Sequence, residues 1–337
     1  MKLTEYDHVP PGLLDLPANR LGELLPGPAL IHLPGRRTQP VFVSVLLHGN
    51  EDTGWLAARA ILARYAAGGL PRALSLFIGN VAAARLGLRR LDGQPDFNRV
   101  WPGSDADQCP EAGLMRDVVA AMRARGVFAS LDIHNNTGLN PHYACVNRLD
   151  QRFLHLATLF SRIVVYFVQP RGVQSAAFAD LCPAVTVECG KPGTPGSVEH
   201  AAAFIEAALH LADFPAHSIR PHDIDLFHTV ATVKVPDGAR IGFGDGDADI
   251  TFIADLDHYN FRELERGSRW GRIRPGSAAR LVVTDEDGRD ISAATFAYRD
   301  EAITLERPLM PAMLTRDERV IRQDCLCYLM ERLPAPQ

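Results

Sequence analysis

Val41-Phe42-Val43-Ser44-Val45-Leu46-Leu47-His48-Gly49-Asn50-Glu51 is the stretch from which the rest of the chain is read. Its apolar, partly β-branched run predicts a buried strand. A histidine and a glutamate follow just past its end, where open α/β sheets gather their chemistry. Imidazole nitrogen and carboxylate oxygen both bind zinc, and two intervening residues let a tight turn bring His48 and Glu51 round one point. Gly49 eases that turn. On its own, H-x-x-E also fits a surface turn, so reading His48 and Glu51 as metal ligands depends on what the downstream strands deliver.

The chain has 337 residues, 47% hydrophobic and 22% charged, which suits a globular protein of one large domain or two moderate ones. A net charge of -5 and a pI near 6.2 leave no basic field of the kind nucleic-acid binders use. Nucleic acid is therefore not an expected partner. Met1-Lys2-Leu3-Thr4-Glu5-Tyr6-Asp7 lacks the basic start and apolar run of a signal peptide, and no apolar stretch is long enough to span a bilayer. The expected compartment is the cytoplasm, without membrane association. The cysteines (Cys109, Cys145, Cys182, Cys189, Cys325, Cys327) form no C-x-x-C pair, so they suggest reduced thiols rather than disulfides or a thiolate zinc site. Cys325-Leu326-Cys327 reads as core packing.

Residues 1–40 form a leading segment rich in proline and glycine, with Ala29–Leu33 as a short strand. After Glu51, Asp52 can cap a helix that buries Trp55, Leu56, Ile61, Leu62 and Tyr65 and ends at Gly68-Gly69. Ala73 to Asn80 is the next strand. A loop from about 81 to 110 then carries Arg89-Arg90-Leu91-Asp92 and Asp96-Phe97-Asn98-Arg99, and long loops in compact domains are often functional. A helix over 111–125 places Leu114, Met115, Val118, Val119 and Met122 inward.

Val127 to His134 is a second apolar strand that ends in a histidine, and His134 is the third candidate zinc ligand. Asp132, two residues earlier on the same strand face, can orient it. A helix from Asp150, a central strand over 163–168 and a helix near 174–181 lead to Ala184-Val185-Thr186-Val187-Glu188-Cys189-Gly190. This third strand also ends on a titratable residue, and Glu188 is the candidate general base. A helix over 197–212, with His200 and His210 on its surface, closes the α/β part. Residues 213–225 read as a linker.

Beyond the linker, short β-rich runs (229–235, 250–253, 280–284, 302–305) between Gly/Asp/Pro turns predict a smaller β-rich domain. Gly242-Phe243-Gly244-Asp245-Gly246-Asp247 lacks the calcium-loop spacing and reads as a hairpin turn. A helix-like segment is expected from about Asp317 to Glu331. The domains expected are thus 1–215 and 216–337.

H-x-x-E after one strand, His after a second and Glu after a third would all lie along one edge of a single sheet. Two histidines and a glutamate with an open fourth position make a catalytic rather than a structural zinc site. His48-Gly49-Asn50-Glu51, Asp96-Phe97-Asn98-Arg99, Asp132-Ile133-His134-Asn135 and Glu188-Cys189-Gly190 resemble, in order and spacing, the motifs of the succinylglutamate desuccinylase/aspartoacylase family, a branch of the zinc carboxypeptidase-like hydrolases.

The resemblance implies a zinc carboxypeptidase-like α/β fold, a mixed sheet flanked by helices, with a smaller C-terminal β-rich domain. It implies one Zn2+ per chain on His48, Glu51 and His134, and Glu188 as the acid/base. By the same resemblance Arg89 polarises the scissile carbonyl, with the register between Arg89 and Arg90 open, while Asn98 and Arg99 grip a substrate carboxylate. A guanidinium fork matches a carboxylate bidentately, which supports the last role independently. The family's arginine shortly before the catalytic glutamate has no counterpart in Gln174-Ser175-Ala176-Ala177-Phe178-Ala179-Asp180; Arg171 is the nearby substitute. Tyr259 and Tyr298 are candidates for its late substrate-contacting tyrosine.

The expected function is a zinc-dependent hydrolase that cleaves the amide of an N-acyl amino acid or similar small carboxylate-bearing substrate. The alternatives are a zinc carboxypeptidase acting on a peptide C-terminus and a non-catalytic zinc-binding protein. Self-association is left open.

Overall fold

The computed structural model describes residues 2–106 and 108–334. Met1, Asp107 and 335–337, which fall within the predicted leading segment, loop and final domain, lie outside it. The chain forms two compact units. One holds the chain up to Asn135 together with His142–Leu226, and the other holds Asn136–Pro141 and Phe227–Leu333.

The first unit is a mixed sheet with helices packed on it. Its strands are β1 (Thr4–Tyr6), β2 (Ala29–Leu33), β3 (Gly35–Val45), β4 (Leu70–Ile78), β5 (Ala129–His134), β6 (Tyr143–Val146), β7 (Ile163–Tyr166) and β8 (Ala184–Glu188). They lie in the order β1-β2-β4-β3-β5-β8-β6-β7. β3 runs parallel to both β4 and β5, and β5 parallel to β8, so β3, β5 and β8 end at the same edge. Burial on both faces explains the continuous apolar run of β3, where Val41, Phe42, Val43 and Val45 are all fully buried. The chain leaves β3 for β4 on one side while β5 lies on the other, which makes the β3/β5 edge a topological switch point, the usual place for ligands.

The two sheet faces are distinguishable. Gly54, in α1 (Thr53–Tyr65), packs so closely on Val45 and Ile133 that an added Cβ would lie 3.0 and 3.1 Å from them, which fixes these side chains on the α1 face. Phe42 stacks on Phe178 at 4.4 Å and Ser130 accepts a bond from Gln174, both in α5 (Gln174–Phe178), so the alternate residues face α5. The remaining helices are α2 (Val81–Ala84), α3 (Pro110–Ala124), α4 (Gln151–Thr158) and α6 (Ser197–His210). α3 buries Leu114, Met115, Val118, Val119 and Met122, as the periodicity predicts.

In the second unit, β9 (Asp225–Lys234) pairs with β13 (Val282–Asp285) on one side and β17 (Cys327–Arg332) on the other, and β17 pairs with β16 (Met310–Ala312). A smaller sheet takes the order β10-β11-β12-β15-β14, with β10 (Ile241–Phe243), β11 (Ile250–Phe252), β12 (Arg269–Ile273), β14 (Phe296–Arg299) and β15 (Ala302–Leu305). Two short helices, α7 (Ser292–Thr295) and α8 (Glu318–Gln323), complete it. Its core includes Val233, Phe252, Trp270, Leu326 and Leu329.

Several expectations are corrected. The segment Asp317–Glu331 is not one helix: Asp317 caps α8 through Arg319 N–H and Val320 N–H, and the chain then becomes β17. Cys327 and Leu329 alternate into the core opposite Val233 and Ala231, and this pairing outweighs local helix propensity. The Gly/Asp run is not a hairpin, because β10 and β11 run parallel. β6 is an unforeseen strand, and β7 lies beyond it rather than at the centre. Asp52 makes no side-chain cap to α1; Thr53 N–H goes instead to Asn135 Oδ1 at 3.2 Å. His200 is half-buried rather than on the surface, with Nε2 2.8 Å from the Phe160 carbonyl.

Candidate metal-dependent active site

Past β3 the chain turns sharply. Leu46 adopts φ 57, a left-handed conformation that a branched side chain seldom takes, and its carbonyl accepts Asn80 N–H. Gly49 is needed for a different reason from the one its turn suggests. Its φ is not in the left-handed region, but an added Cβ would meet the backbone of Ala83 and Ala84 at 2.4 and 2.2 Å. The Gly49 N–H also donates to the Arg89 carbonyl at 3.1 Å, which ties the β3 turn to the loop that follows α2.

These constraints bring His48, Glu51 and His134 together, with one donor atom from each lying within 4.8 Å of the others. All three side chains are buried, and the two imidazole rings stand 4.9 Å apart. The Glu51 carboxylate bridges them, with Oε1 2.8 Å from His48 Nδ1 and Oε2 2.7 Å from His134 Nδ1. Oε2 also accepts the Asn135 N–H at 3.1 Å. Asn135 in turn donates its side-chain amide to the Gly190 carbonyl, which joins the loop after β5 to the loop after β8.

The outer nitrogens have carboxylate partners of their own. His48 Nε2 lies 3.1 Å from Asp96 Oδ1, and His134 Nε2 lies 2.9 Å from Asp132 Oδ2. Asp132 is fully buried and accepts the Ser44 hydroxyl on its other oxygen. With each Nε2 held by an acid, each Nδ1 is directed inward, the arrangement that orients histidine as a metal ligand and raises its basicity. Two imidazoles and a carboxylate are a suitable donor set for zinc, so the residues present fit such an ion.

The electrostatics agree. Burial would push the Glu51 carboxyl up, but the His48 and His134 rings outweigh it and hold Glu51 below the usual carboxylate range. Burial works against a charged His134, yet Asp132 and Glu51 raise it well above the ordinary histidine value. For His48, burial and the Arg89 charge are overcome by Glu51 and Asp96, and the shift is upward. Asp96 is held well below the usual range because Arg89 and His48 more than offset its burial.

Asp96 is the group that reading the motif left without a role. Its Oδ2 takes a fork from Arg89 Nε and Nη2 at 3.1 and 2.8 Å, and its Oδ1 receives Asn98 N–H at 2.8 Å, an Asx turn legible from the D-x-N spacing. Of the adjacent arginines, Arg89 turns inward, with Nη1 3.9 Å from Glu51 Oε1, while Arg90 donates to the Gln94 carbonyl. Asn98 Nδ2 lies 3.2 Å from His134 Nε2, and its Oδ1 accepts Gln174 N–H at 2.9 Å. Arg99 donates to the Asn98 carbonyl. Glu188 is buried at the end of β8, paired in register with His134.

Arg171, by contrast, is exposed. The candidate tyrosines are committed inside the second unit: the Tyr259 hydroxyl donates to the Arg269 carbonyl, and the Tyr298 hydroxyl accepts Leu281 N–H.

No helix among the described residues is long and apolar enough to cross a membrane. The family model of the succinylglutamate desuccinylase/aspartoacylase catalytic domain matches residues 37–214, more than half of the chain. No curated protein sequence matches the chain. Among solved structures, the succinylglutamate desuccinylase from Chromobacterium violaceum is similar at a TM-score of 0.55 and 18% identity, covering 89% of this chain and 87% of that one. Murine aminoacylase 3 is similar at 0.55 and 16%, covering 88% and 96%. A succinylglutamate desuccinylase/aspartoacylase from Rhodobacter sphaeroides is similar at 0.56 and 14%, covering 90% and 88%. At these identities the structures establish a shared fold, and the family match carries the assignment. The chain belongs to the succinylglutamate desuccinylase/aspartoacylase family of hydrolases.

Proposed function

We propose that this protein is a zinc-dependent hydrolase of the amide bond in an N-acyl amino acid or a similar small carboxylate-bearing substrate, with one Zn2+ per chain held by His48, Glu51 and His134. Its catalytic domain is residues 1–215 and its β-rich domain 216–337. The observation that carries this reading is the buried His48-Glu51-His134 group with Glu188 beside His134 on the neighbouring strand. When bound, zinc supplies Lewis-acid polarisation of a carbonyl and brings the pKa of water at its open position to about 7.

The chain's own residues do the rest. Glu188 takes a proton from the attacking water and returns it to the leaving nitrogen. Arg89, locked in orientation by its fork on Asp96, offers a preorganised positive charge to the carbonyl oxygen as it becomes negative. Donors preorganised for an oxyanion are worth about 3–4 kcal/mol of barrier each. Asn98 and Arg99 hold the substrate carboxylate, and Arg171 is a further contact for it.

Release of free amine from N-acyl amino acids and blocked dipeptides, with and without a zinc chelator, tests this. Chelator-sensitive turnover of the acyl amino acids is expected. Cleavage of the dipeptides alone would replace the reading by carboxypeptidase action. Silence from protein shown to contain zinc would leave a non-catalytic zinc protein.

A further inference from the structure

Asn98 is more than nine-tenths buried, and its side-chain oxygen has a fixed partner: Oδ1 accepts the backbone N–H of Gln174 at 2.9 Å. A backbone N–H can only donate, so this bond settles which end of the amide is oxygen and which is nitrogen. Nδ2 then lies 3.2 Å from His134 Nε2. That approach is not a hydrogen bond, because Nε2 stands 2.9 Å from Asp132 Oδ2 and spends its ring hydrogen on that carboxylate. Two donors therefore face each other. Neither hydrogen of the Asn98 amide has an acceptor among the described residues.

The amide is held in this orientation from both sides. Asn98 is tied through its own backbone, since its N–H goes to Asp96 Oδ1 and its carbonyl accepts Arg99 Nη1. Gln174, fully buried, is the first residue of α5, and α5 has anchors independent of Asn98. Gln174 Nε2 is 2.6 Å from Ser130 Oγ, Ser175 Oγ is 2.7 Å from Asn147 Oδ1, and the Phe178 ring stacks on Phe42. Reversing the Asn98 amide would set Nδ2 against the Gln174 N–H, and burial makes such a pair of opposed donors costly. An amide whose oxygen is already spent offers a ligand donors only. A carboxylate or carbonyl oxygen can satisfy them, whereas an ammonium or amide N–H cannot.

We propose that Gln174 is a positioning residue of the substrate site: its backbone N–H fixes Asn98 as a pure donor, so that the Asn98 position takes an acceptor oxygen of the substrate and rejects a donor group. The inference rests on the amide-hydrolase reading above and adds to it what sets the direction of the Asn98 contact.

The backbone donor can be removed by substitution. Val173 has φ -91 and ψ 154, the extended conformation that proline requires of the residue before it, and proline suits the first position of a helix. Gln174→Pro therefore keeps the start of α5 while its ring carbon replaces the N–H hydrogen and presses on Asn98 Oδ1, which frees the amide. Gln174→Met loses the same side-chain amide but keeps the N–H, so the pair isolates the backbone donor.

Both variants are made in zinc-loaded Glu188→Gln protein and titrated calorimetrically with N-acetylglycine, N-acetylmethionine and N-acetylglutamate, and in the active protein for kcat and KM. Binding by Gln174→Pro is expected to be about tenfold weaker than by Gln174→Met, with KM moving alike, kcat within about twofold and zinc content equal. In an Asn98→Ala background the difference should vanish, since the two residues act through one bond. Equal binding by the two variants, or a difference that persists without Asn98, overturns the proposal. Should the proline variant not fold, Asn98→Asp decides: it still accepts the Gln174 N–H but carries no donor, so unchanged binding of the three acids overturns the proposal and a loss of about tenfold supports it. The expected pattern of binding without wild-type turnover of any of the three would support the positioning role while removing the hydrolase reading. Absence of binding by the parent protein removes both.

Discussion

Glu188 on β8 stands beside His134 on the adjacent parallel strand β5, their Cα atoms in register, and the next residue, Cys189, donates its N–H to the His134 carbonyl at 2.9 Å. The distance between the proposed base and the metal group is therefore set by sheet hydrogen bonds rather than by a loop. Glu188→Gln keeps this geometry and the side-chain size but removes the proton acceptor. We expect wild-type metal content and a loss of about 100-fold or more in kcat/KM. Near-native turnover would show that another group moves the proton.

Asp96 serves His48 and Arg89 at once, and its side chain is only 9% exposed. In Asp96→Ala, His48 Nε2 loses its acceptor and the nearly buried Arg89 guanidinium loses its two-pronged carboxylate, keeping the looser 3.9 Å approach to Glu51. Metal affinity should fall about 10–100-fold, the usual effect of removing a ligand's outer partner. Stability should fall by about 3 kcal/mol, as when a buried ion pair loses one member. Chelator competition and thermal unfolding measure the two effects, and an unchanged affinity would mean that His48 is oriented without Asp96.

Gly49 lies against the α2 backbone, which cannot rotate away as a side chain can. Gly49→Ala should cost about 1–3 kcal/mol and shift the His48–Glu51 turn, lowering both the melting temperature and the metal content. Gly68, around which a Cβ would meet nothing within 4 Å, provides the control. Equal effects of Gly49→Ala and Gly68→Ala would refute the close-approach argument.

In the metal-free protein His48 and His134 are raised above the ordinary histidine value, so both rings hold protons to higher pH than free imidazole does. A metal taking the Nδ1 positions must displace those protons. Apparent affinity should therefore climb as pH rises, by about tenfold per pH unit for each proton displaced, until pH passes the raised values. Calorimetry in buffers of different ionisation enthalpy should register proton release. A pH-independent affinity would show that the rings are already neutral.

The thiols differ sharply in access. Burial pushes Cys182 and Cys189 far up, and Cys327 is fully buried, whereas Cys109 is partly exposed at the start of α3. Iodoacetamide on the native protein should modify Cys109 first, as peptide mapping would show. Early labelling of Cys189 would reveal that the end of β8 opens in solution.

The strands that lead to His48, His134 and Glu188 are legible in the chain because a buried parallel strand is predominantly apolar. A titratable residue at the close of such a run is then conspicuous. The same holds for α3, whose apolar positions recur at helical spacing. Local pattern was insufficient wherever a partner made the choice. Tyr143–Val146 is too short to declare itself a strand, and it exists because β7 and β8 flank it. Cys327–Arg332 carries helix and strand signals together, and β9 decides between them.

Composition and motif spacing thus determined the α/β class, the three strand-end donors and the family they resemble, all of which depend on residues close in sequence. Tertiary structure alone decided that Asp96 binds His48 across 48 positions, that Arg89 rather than Arg90 turns inward, and that Asn98 is held by Gln174. Hydrogen bonds between residues far apart in the chain leave no period in the sequence. They form only when the sheet edge has brought the loops within about 3 Å of one another.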